Sequence, residues 1–216
     1  MPDDAPAPAP QDSSGGSDHY FTAHPASSAE LRPLRVRLAD RELELETARG
    51  VFSPDRLDLG TRVLLDTVPP PPPSGELLDL GCGWGPIALT LALRSPGARV
   101  WAVDVNERAL DLVRRNARAL GLDNVHAVGP DEVPDDVSPV ALWSNPPIRV
   151  GKAALHELLL RWLPRLAPGA QAHLVVQRNL GADSLQRWLA EQLGERTTVT
   201  RIETAKGFRV LRVDAP

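Results

Sequence analysis

The run Leu77-Leu-Asp-Leu-Gly-Cys-Gly-Trp-Gly-Pro86 constrains the fold of this chain more than any other stretch. Its first four residues read as a short buried strand. The three alternating glycines that follow let the backbone turn tightly and leave no side chain to block a ligand's polar group. Pro86 then stands at the first position of a helix, where its missing N–H is one the helix does not use. The apolar pattern downstream repeats this alternation. It predicts helices over 61–67, 86–94, 107–120, 152–166 and 184–193, and strands over 77–80, 99–104, 124–128, 140–144, 171–177, 197–203 and 208–213. Asn106 and Asp183 are placed as N-caps, Gly121 and Gly194 as helix stops. The fold class expected is α/β, a doubly wound, seven-stranded, mostly parallel sheet that closes with an antiparallel hairpin.

Upstream, Leu34, Val36 and Leu38 alternate with arginines, and Leu43 and Leu45 alternate with Glu42, Glu44 and Glu46. This predicts a short N-terminal β-hairpin extension turning near Asp40, with its Arg and Glu rows facing each other on the solvent side. The organisation expected is a Pro/Ala/Ser/Gly/Asp tail over 1–18, without the apolar surface to offset ordering entropy, and one domain over 19–216. Within that domain, 19–68 is the extension and 75–216 the catalytic core, with the prolines 69–73 a stiff spacer between them.

The net charge of −4 is uneven, because the first thirty residues hold five acids and neither Lys nor Arg. The remainder is close to neutral, which excludes a protein that coats nucleic acid by bulk charge and still permits a local basic patch. One cysteine excludes an intramolecular disulfide, and five scattered histidines show no metal-ligand spacing, so no metal is expected. No apolar run approaches the ~20 residues of a bilayer span, and the acidic N-terminus has no signal-peptide core. A cytoplasmic, monomeric protein without membrane contact is expected.

A glycine loop alone fits a plain tight turn, and two acids add to it. Asp79 lies in the strand end and Asp104 closes the next strand, about twenty residues after the glycines, where an acid binds ribose hydroxyls. Gly81, Gly83 and Gly85 give GxGxG, whereas a dinucleotide fingerprint wants GxGxxG, and no GK[ST] is present for a triphosphate. A carboxylate at Asp79 repels a pyrophosphate. S-adenosylmethionine, with an ammonium, a sulfonium and a ribose, fits both acids.

Asp79-Leu-Gly-Cys-Gly-Trp-Gly85, Val103-Asp-Val-Asn106 and Ser144-Asn-Pro-Pro-Ile148 resemble the first, second and fourth motifs of class I S-adenosylmethionine-dependent methyltransferases. With Gly50-Val-Phe-Ser53, Asp58-Leu-Gly-Thr61 and the continuation to Lys152, the chain resembles the small-domain methyltransferases related to 16S rRNA guanine-N2 methyltransferase, in a single-domain form covering about His19 to Val213. The resemblance implies cofactor contacts at Asp79, Gly81, Cys82, Gly83, Asp104, Val105, Asp131 and Asn145. It implies an acceptor loop of Asn145, Pro146, Pro147 and Ile148. Asn145 and the Pro146 carbonyl, which is expected to face no competing helical partner, accept the N–H groups of an exocyclic amine and turn its lone pair toward the methyl group.

Many such enzymes place an aromatic residue after the prolines to stack the target base. Here it is Ile148, so Phe52 is the candidate for stacking. Arg149, Lys152, Arg178 and Lys206 are candidates for phosphate contacts, against the plainer reading of solvated charge. The five tryptophans are read as core or pocket wall, His156 as a helix residue. The expected activity is methylation of guanine N2 in small-subunit rRNA, with ribosomal RNA or the small ribosomal subunit as partner. The alternatives are a protein glutamine-amide or small-molecule N-methyltransferase, and a binding module that no longer transfers methyl groups.

Overall fold

The computed structural model describes residues 30–216, so the expected tail over 1–18 and the stretch 19–29 lie outside the described residues. Strands β1 (Leu31–Leu38) and β2 (Arg41–Ala48) pair antiparallel around a turn in which Ala39 and Asp40 have φ of 47° and 62°. Two left-handed residues give that turn the twist that the strands need. Arg35 stands opposite Glu44 and Arg37 opposite Glu42, and Arg35 donates to Glu44 at 3.2 Å. Both partners are exposed, so the pair adds little stability. The other face matters more. It carries Leu34, Val36, Leu38 and Leu45 into a core shared with Trp84, Leu89 and Leu112.

The chain continues as α1 (Leu59–Thr67), β3 (Ser74–Leu80), α2 (Pro86–Arg94), β4 (Gly97–Val103), α3 (Glu107–Ala119), β5 (Val125–Val128) and β6 (Ala141–Ser144). It then forms α4 (Lys152–Trp162), β7 (Gln171–Gln177), α5 (Ala182–Leu193), β8 (Thr198–Ala205) and β9 (Phe208–Asp214). The seven-stranded sheet has the order β5-β4-β3-β6-β7-β9-β8, with β9 alone running against its neighbours. Alternation along β3 builds both layers. Leu78 and Leu80 pack with Leu155, Leu159, Leu185 and Leu189 from α4 and α5, while Leu77 packs with Leu64, Leu91 and Leu110 from α1, α2 and α3. Among the described residues no helix is long and apolar enough to cross a membrane.

Two local expectations are corrected. The helix over 152–166 stops at Trp162 and continues as a 3-10 turn over Leu163–Arg165, because Pro164 has no N–H to extend the α-helical ladder. Asp183 is not an N-cap. Helix α5 starts earlier, after Gly181 at φ 96°, and Asp183 sits in its first turn, paired with Arg209 and 3.8 Å from Arg201. Asn106 does cap α3, accepting from the N–H groups of Arg108 and Ala109.

Candidate active site

From β3 the chain builds β4 and β5 on one side, then returns to place β6 on the other, so a crevice opens at the carboxyl ends of β3, β4 and β6. The loops after these strands, together with the ends of β7 and β9, line a mostly apolar cavity of about 300 Å³. Ser144 Oγ donates to the Leu80 carbonyl at 2.6 Å and ties the ends of β3 and β6 together beneath it.

The glycine loop uses its donors inward. Gly81 and Cys82 donate their N–H groups to the Val103 carbonyl at 2.8 and 3.0 Å, Gly85 donates to Cys82 at 2.9 Å, and Gly83 donates to Asp104 Oδ2 at 2.9 Å. At the start of α2, Pro86 has no N–H and Ala88 donates to Asp79 Oδ2 at 2.9 Å. A phosphate cradle needs free N–H groups at this place, and those of Gly81, Cys82, Gly83, Gly85 and Ala88 are engaged. What such a loop offers a ligand is carbonyl oxygen, which suits a cationic group. Gly81, Gly83 and Gly85 all have positive φ (77°, 53° and 98°), and a Cβ on Gly85 would stand 3.0 Å from Val113, so the shape of the loop depends on these glycines.

Asp104 reaches the cavity from the end of β4. Its Oδ1 accepts from the Asn106 N–H at 3.0 Å and its Oδ2 from Gly83, and a carboxylate with about four lone-pair positions keeps capacity for vicinal hydroxyls. Burial raises its pKa, and the backbone donors at Asn106, Gly83 and Val105 oppose that rise. Val105 next to it is 48% exposed and lines the cavity, an apolar surface fit for a planar ring. Gly81, Gly83, Asp104, Val105 and Asn145 are thus brought into one cavity wall.

Other predicted residues stand elsewhere. Asp79 is fully buried and absent from the cavity lining. Its Oδ2 satisfies the first turn of α2, whose own N-cap, Gly85, has no side chain to do so, and its Oδ1 has no hydrogen-bond partner. Burial lifts its pKa well above the carboxylate range, with the Ala88 N–H opposing and Asp104 adding to the rise. Asp79 thus anchors the first turn of α2 from beneath the glycine loop. The Cys82 side chain packs into the core, burial raises its thiol pKa, and the residue borders only a small cleft beside the main cavity. Asp131 lies outside the lining, with its side chain 90% exposed and paired to Arg161 at 2.8 Å; Pro130 takes the place in the wall.

The acceptor loop leaves β6 as Asn145-Pro146-Pro147 and enters a 3-10 turn over Ile148–Val150. Asn145 Nδ2 donates to Asp58 Oδ2 at 2.8 Å and to Thr61 Oγ1 at 3.0 Å, so both of its protons have acceptors and its Oδ1 is the end left for a ligand. Contrary to expectation, the Pro146 carbonyl has a partner, since Ile148 N–H donates to it at 2.8 Å. The turn after two prolines folds back on itself within two residues. The carbonyl's second lone pair remains. A Cβ on Gly81 would stand 3.6 Å from Pro147 Cδ, so the two loops lie side by side.

Phe52, 39% exposed, does line the cavity. Arg149 lies in the 3-10 turn after the prolines. Lys152 and Arg178 flank the site, at the start of α4 and in the turn after β7, but neither lines the cavity. The sequence reading missed Phe208, whose ring lies over the first turn of α1, 2.8 Å from a Cβ position at Gly60, and lines the cavity from the start of β9. It also missed the role of Asp58 and Thr61. The one signal for them was the Asp58-Leu-Gly-Thr61 spacing, an N-cap acid three residues before the N–H that it accepts at 3.0 Å. Among the described residues no group of His, Cys, Asp and Glu could hold a metal ion.

A mostly parallel sheet with a glycine loop, an acid at the end of β4 and an Asn-Pro-Pro turn at its switch point defines a Rossmann-like methyltransferase fold. The chain belongs to the methyltransferase small domain family, whose sequence profile matches residues 42–212. It is 31% identical to the uncharacterized protein YbxB of Bacillus subtilis, over 91% of this chain and 98% of that one. It is 34% identical to ribosomal RNA small subunit methyltransferase C of Pseudomonas aeruginosa over 87% of this chain, but spans only 56% of that protein. Among solved structures, the 16S rRNA N2-guanine methyltransferase RsmC of T. thermophilus, in complex with AdoMet and guanosine, matches with a TM-score of 0.75 at 24% identity, over 89% of this chain and 52% of that one. The chain therefore spans about half the length of the ribosomal RNA methyltransferases that it matches.

Proposed function

We propose that this protein transfers a methyl group from S-adenosylmethionine to an exocyclic amine, guanine N2 of small-subunit rRNA. One observation carries the reading: the Asn145 end of the cavity presents hydrogen-bond acceptors. Both Asn145 Nδ2 protons are engaged, Pro146 and Pro147 have no N–H, and the groups left are Asn145 Oδ1 and a Pro146 lone pair. An end of that kind suits a planar –NH2 group, which brings two donors. The choice of guanine N2 and of the small subunit follows the relatives named methyltransferase C.

The carbonyl oxygens of the glycine loop and the Asp104 carboxylate fit the cofactor's ammonium and ribose. Bound there, the cofactor supplies an electrophilic methyl carbon on sulfur. The chain's own residues then act by positioning. Asn145 Oδ1 and the Pro146 carbonyl accept the two amine protons, which draws the lone pair out of conjugation and holds it in line with the methyl carbon. Forming the N–C bond would break the bond from the methyl carbon to sulfur, leaving S-adenosylhomocysteine, and one amine proton would pass to solvent. The apolar wall of Val51, Leu158, Leu180 and Phe208 limits competing water, and Phe52 and Phe208 offer ring faces to a base in place of the aromatic that Ile148 is not.

The test incubates the protein with methyl-labelled S-adenosylmethionine and, separately, small ribosomal subunits lacking the modification, naked rRNA, DNA and release factor. Digestion then identifies the modified unit. N2-methylguanosine from the subunits or the rRNA is expected. Label in release factor alone would replace this reading with glutamine-amide methylation, and label in none would overturn it.

A further inference from the structure

We propose that Asp58 is a positioning residue that locks the Asn145 amide with its oxygen toward the acceptor amine, and so makes this end of the cavity selective for nitrogen donors; this rests on the reading just given. A terminal amide can be turned over by half a rotation, and the two orientations are chemically opposite. One presents an acceptor to the cavity and the other presents a donor, which an amine substrate could not use. Asp58 decides between them. Its Oδ2 already accepts the Thr61 N–H, so the Asn145 atom 2.8 Å from it is the donor, Nδ2. Thr61 Oγ1, 3.0 Å away, takes the second proton.

The carboxylate is itself held in place. Oδ2 also accepts the Thr61 N–H at 3.0 Å as the N-cap of α1, Thr61 is buried, and the Phe208 ring covers Gly60 beside it. A Cβ at Gly60 would stand 2.9 Å from Oδ2 and 2.8 Å from the ring, so the glycine leaves the room this corner needs. Asp58 lines the cavity, and its second oxygen accepts no hydrogen bond from the described residues. The first turn of α1 thus reaches across 87 residues of sequence to set the polarity of the acceptor loop.

The experiment uses the full chain with labelled S-adenosylmethionine and small ribosomal subunits lacking the modification. Asp58→Ser keeps an N-cap oxygen but is too short to reach Asn145. It is expected to keep cofactor affinity within about threefold and to lower kcat at least about thirtyfold, with little change in the KM for subunits. Asp58→Asn, which can still accept from Nδ2, should recover most of that loss. In an Asn145→Ala background, Asp58→Ser should add less than about a threefold effect, because its only catalytic route runs through the amide. Unchanged kcat in Asp58→Ser, or losses that multiply fully in the double variant, would overturn the proposal. If Asp58→Ser does not fold, Thr61→Val removes the other acceptor and should lower kcat about tenfold; no loss there would count against the proposal.

A second readout does not need an acceptor. In the proton–nitrogen spectrum of the parent, the Asn145 side-chain amide should show two protons in slow exchange, and fast exchange in Asp58→Ser. Fast exchange already in the parent would refute the lock. A parent that methylates neither subunits nor rRNA while this amide is protected would leave the lock standing and remove the rRNA reading instead.

Discussion

Asp104 accepts backbone N–H groups from both Gly83 and Asn106, so in the proposed cofactor site removing its carboxylate acts on the ligand and on the loop that receives it. Asp104→Ala should weaken S-adenosylmethionine binding about ten- to hundredfold, the equivalent of about 1.5 to 3 kcal/mol for a lost charge-assisted hydrogen bond. Calorimetry that finds the parent affinity in the variant would remove Asp104 from the cofactor site. This residue was legible because its distance from the glycines is set by one helix and one strand. The direction of Asp79 was not. Its carboxylate turned toward the Ala88 N–H because α2 begins with a glycine and a proline that cannot cap it, a fact about the packed helix rather than about the strand motif. Asp131 stands outside the cavity lining for a related reason. In the acid-rich stretch Asp131–Asp136 nothing local distinguishes one carboxylate from the next, and Arg161, thirty residues away, draws this one outward.

Elements were legible wherever one face is apolar. Strand β7 is the clearest case, with the predicted range 171–177 reproduced in full, five of its residues buried. That strand also carries a strain its periodicity did not announce. His173 is buried with neither ring nitrogen hydrogen-bonded, and burial, reinforced by Arg212 and opposed by Asp214, holds its pKa down to about 4. The unfolded imidazole titrates near 6.5, so between pH 6.5 and 4 the unfolded chain binds the proton and the native chain does not. Stability is therefore full above about pH 6.5 and declines as the pH falls toward 4, by up to about 3 kcal/mol from this group. Urea unfolding of the parent should show that decline, and His173→Leu should flatten its share. A variant with the same acid slope as the parent would show that other groups cause it. Helix ends were less legible than strands, since Pro164 and Gly181 end or begin a helix through backbone geometry that side-chain periodicity does not register.

At the scale of the whole molecule, the N-terminal hairpin is fastened to the catalytic sheet rather than appended to it. Asn116 on α3 accepts the Glu46 N–H at 2.8 Å and donates to the carbonyls of Glu46 and Trp84, Trp84 Nε1 donates to Ser53, and Asn106 Nδ2 donates to Gly50. These bonds hold the 50–53 loop, and with it Phe52, at the rim of the cavity. The sheet architecture was readable because alternation of strand and helix leaves few topologies. The corner formed by Asp58, Asn145 and Phe208 was not, because it joins three segments far apart in sequence and only the closed sheet brings them together. Under the proposed function the molecule divides into a cofactor half on β3 and β4 and an acceptor half on β6, α1 and β9. The most direct test measures both halves in one variant, Asn145→Ala, by calorimetry with S-adenosylmethionine and by turnover on unmodified small subunits. The account predicts cofactor affinity within a few-fold of the parent and turnover lower by about a hundredfold or more. Equal losses in affinity and turnover would contradict it and make Asn145 chiefly a cofactor ligand.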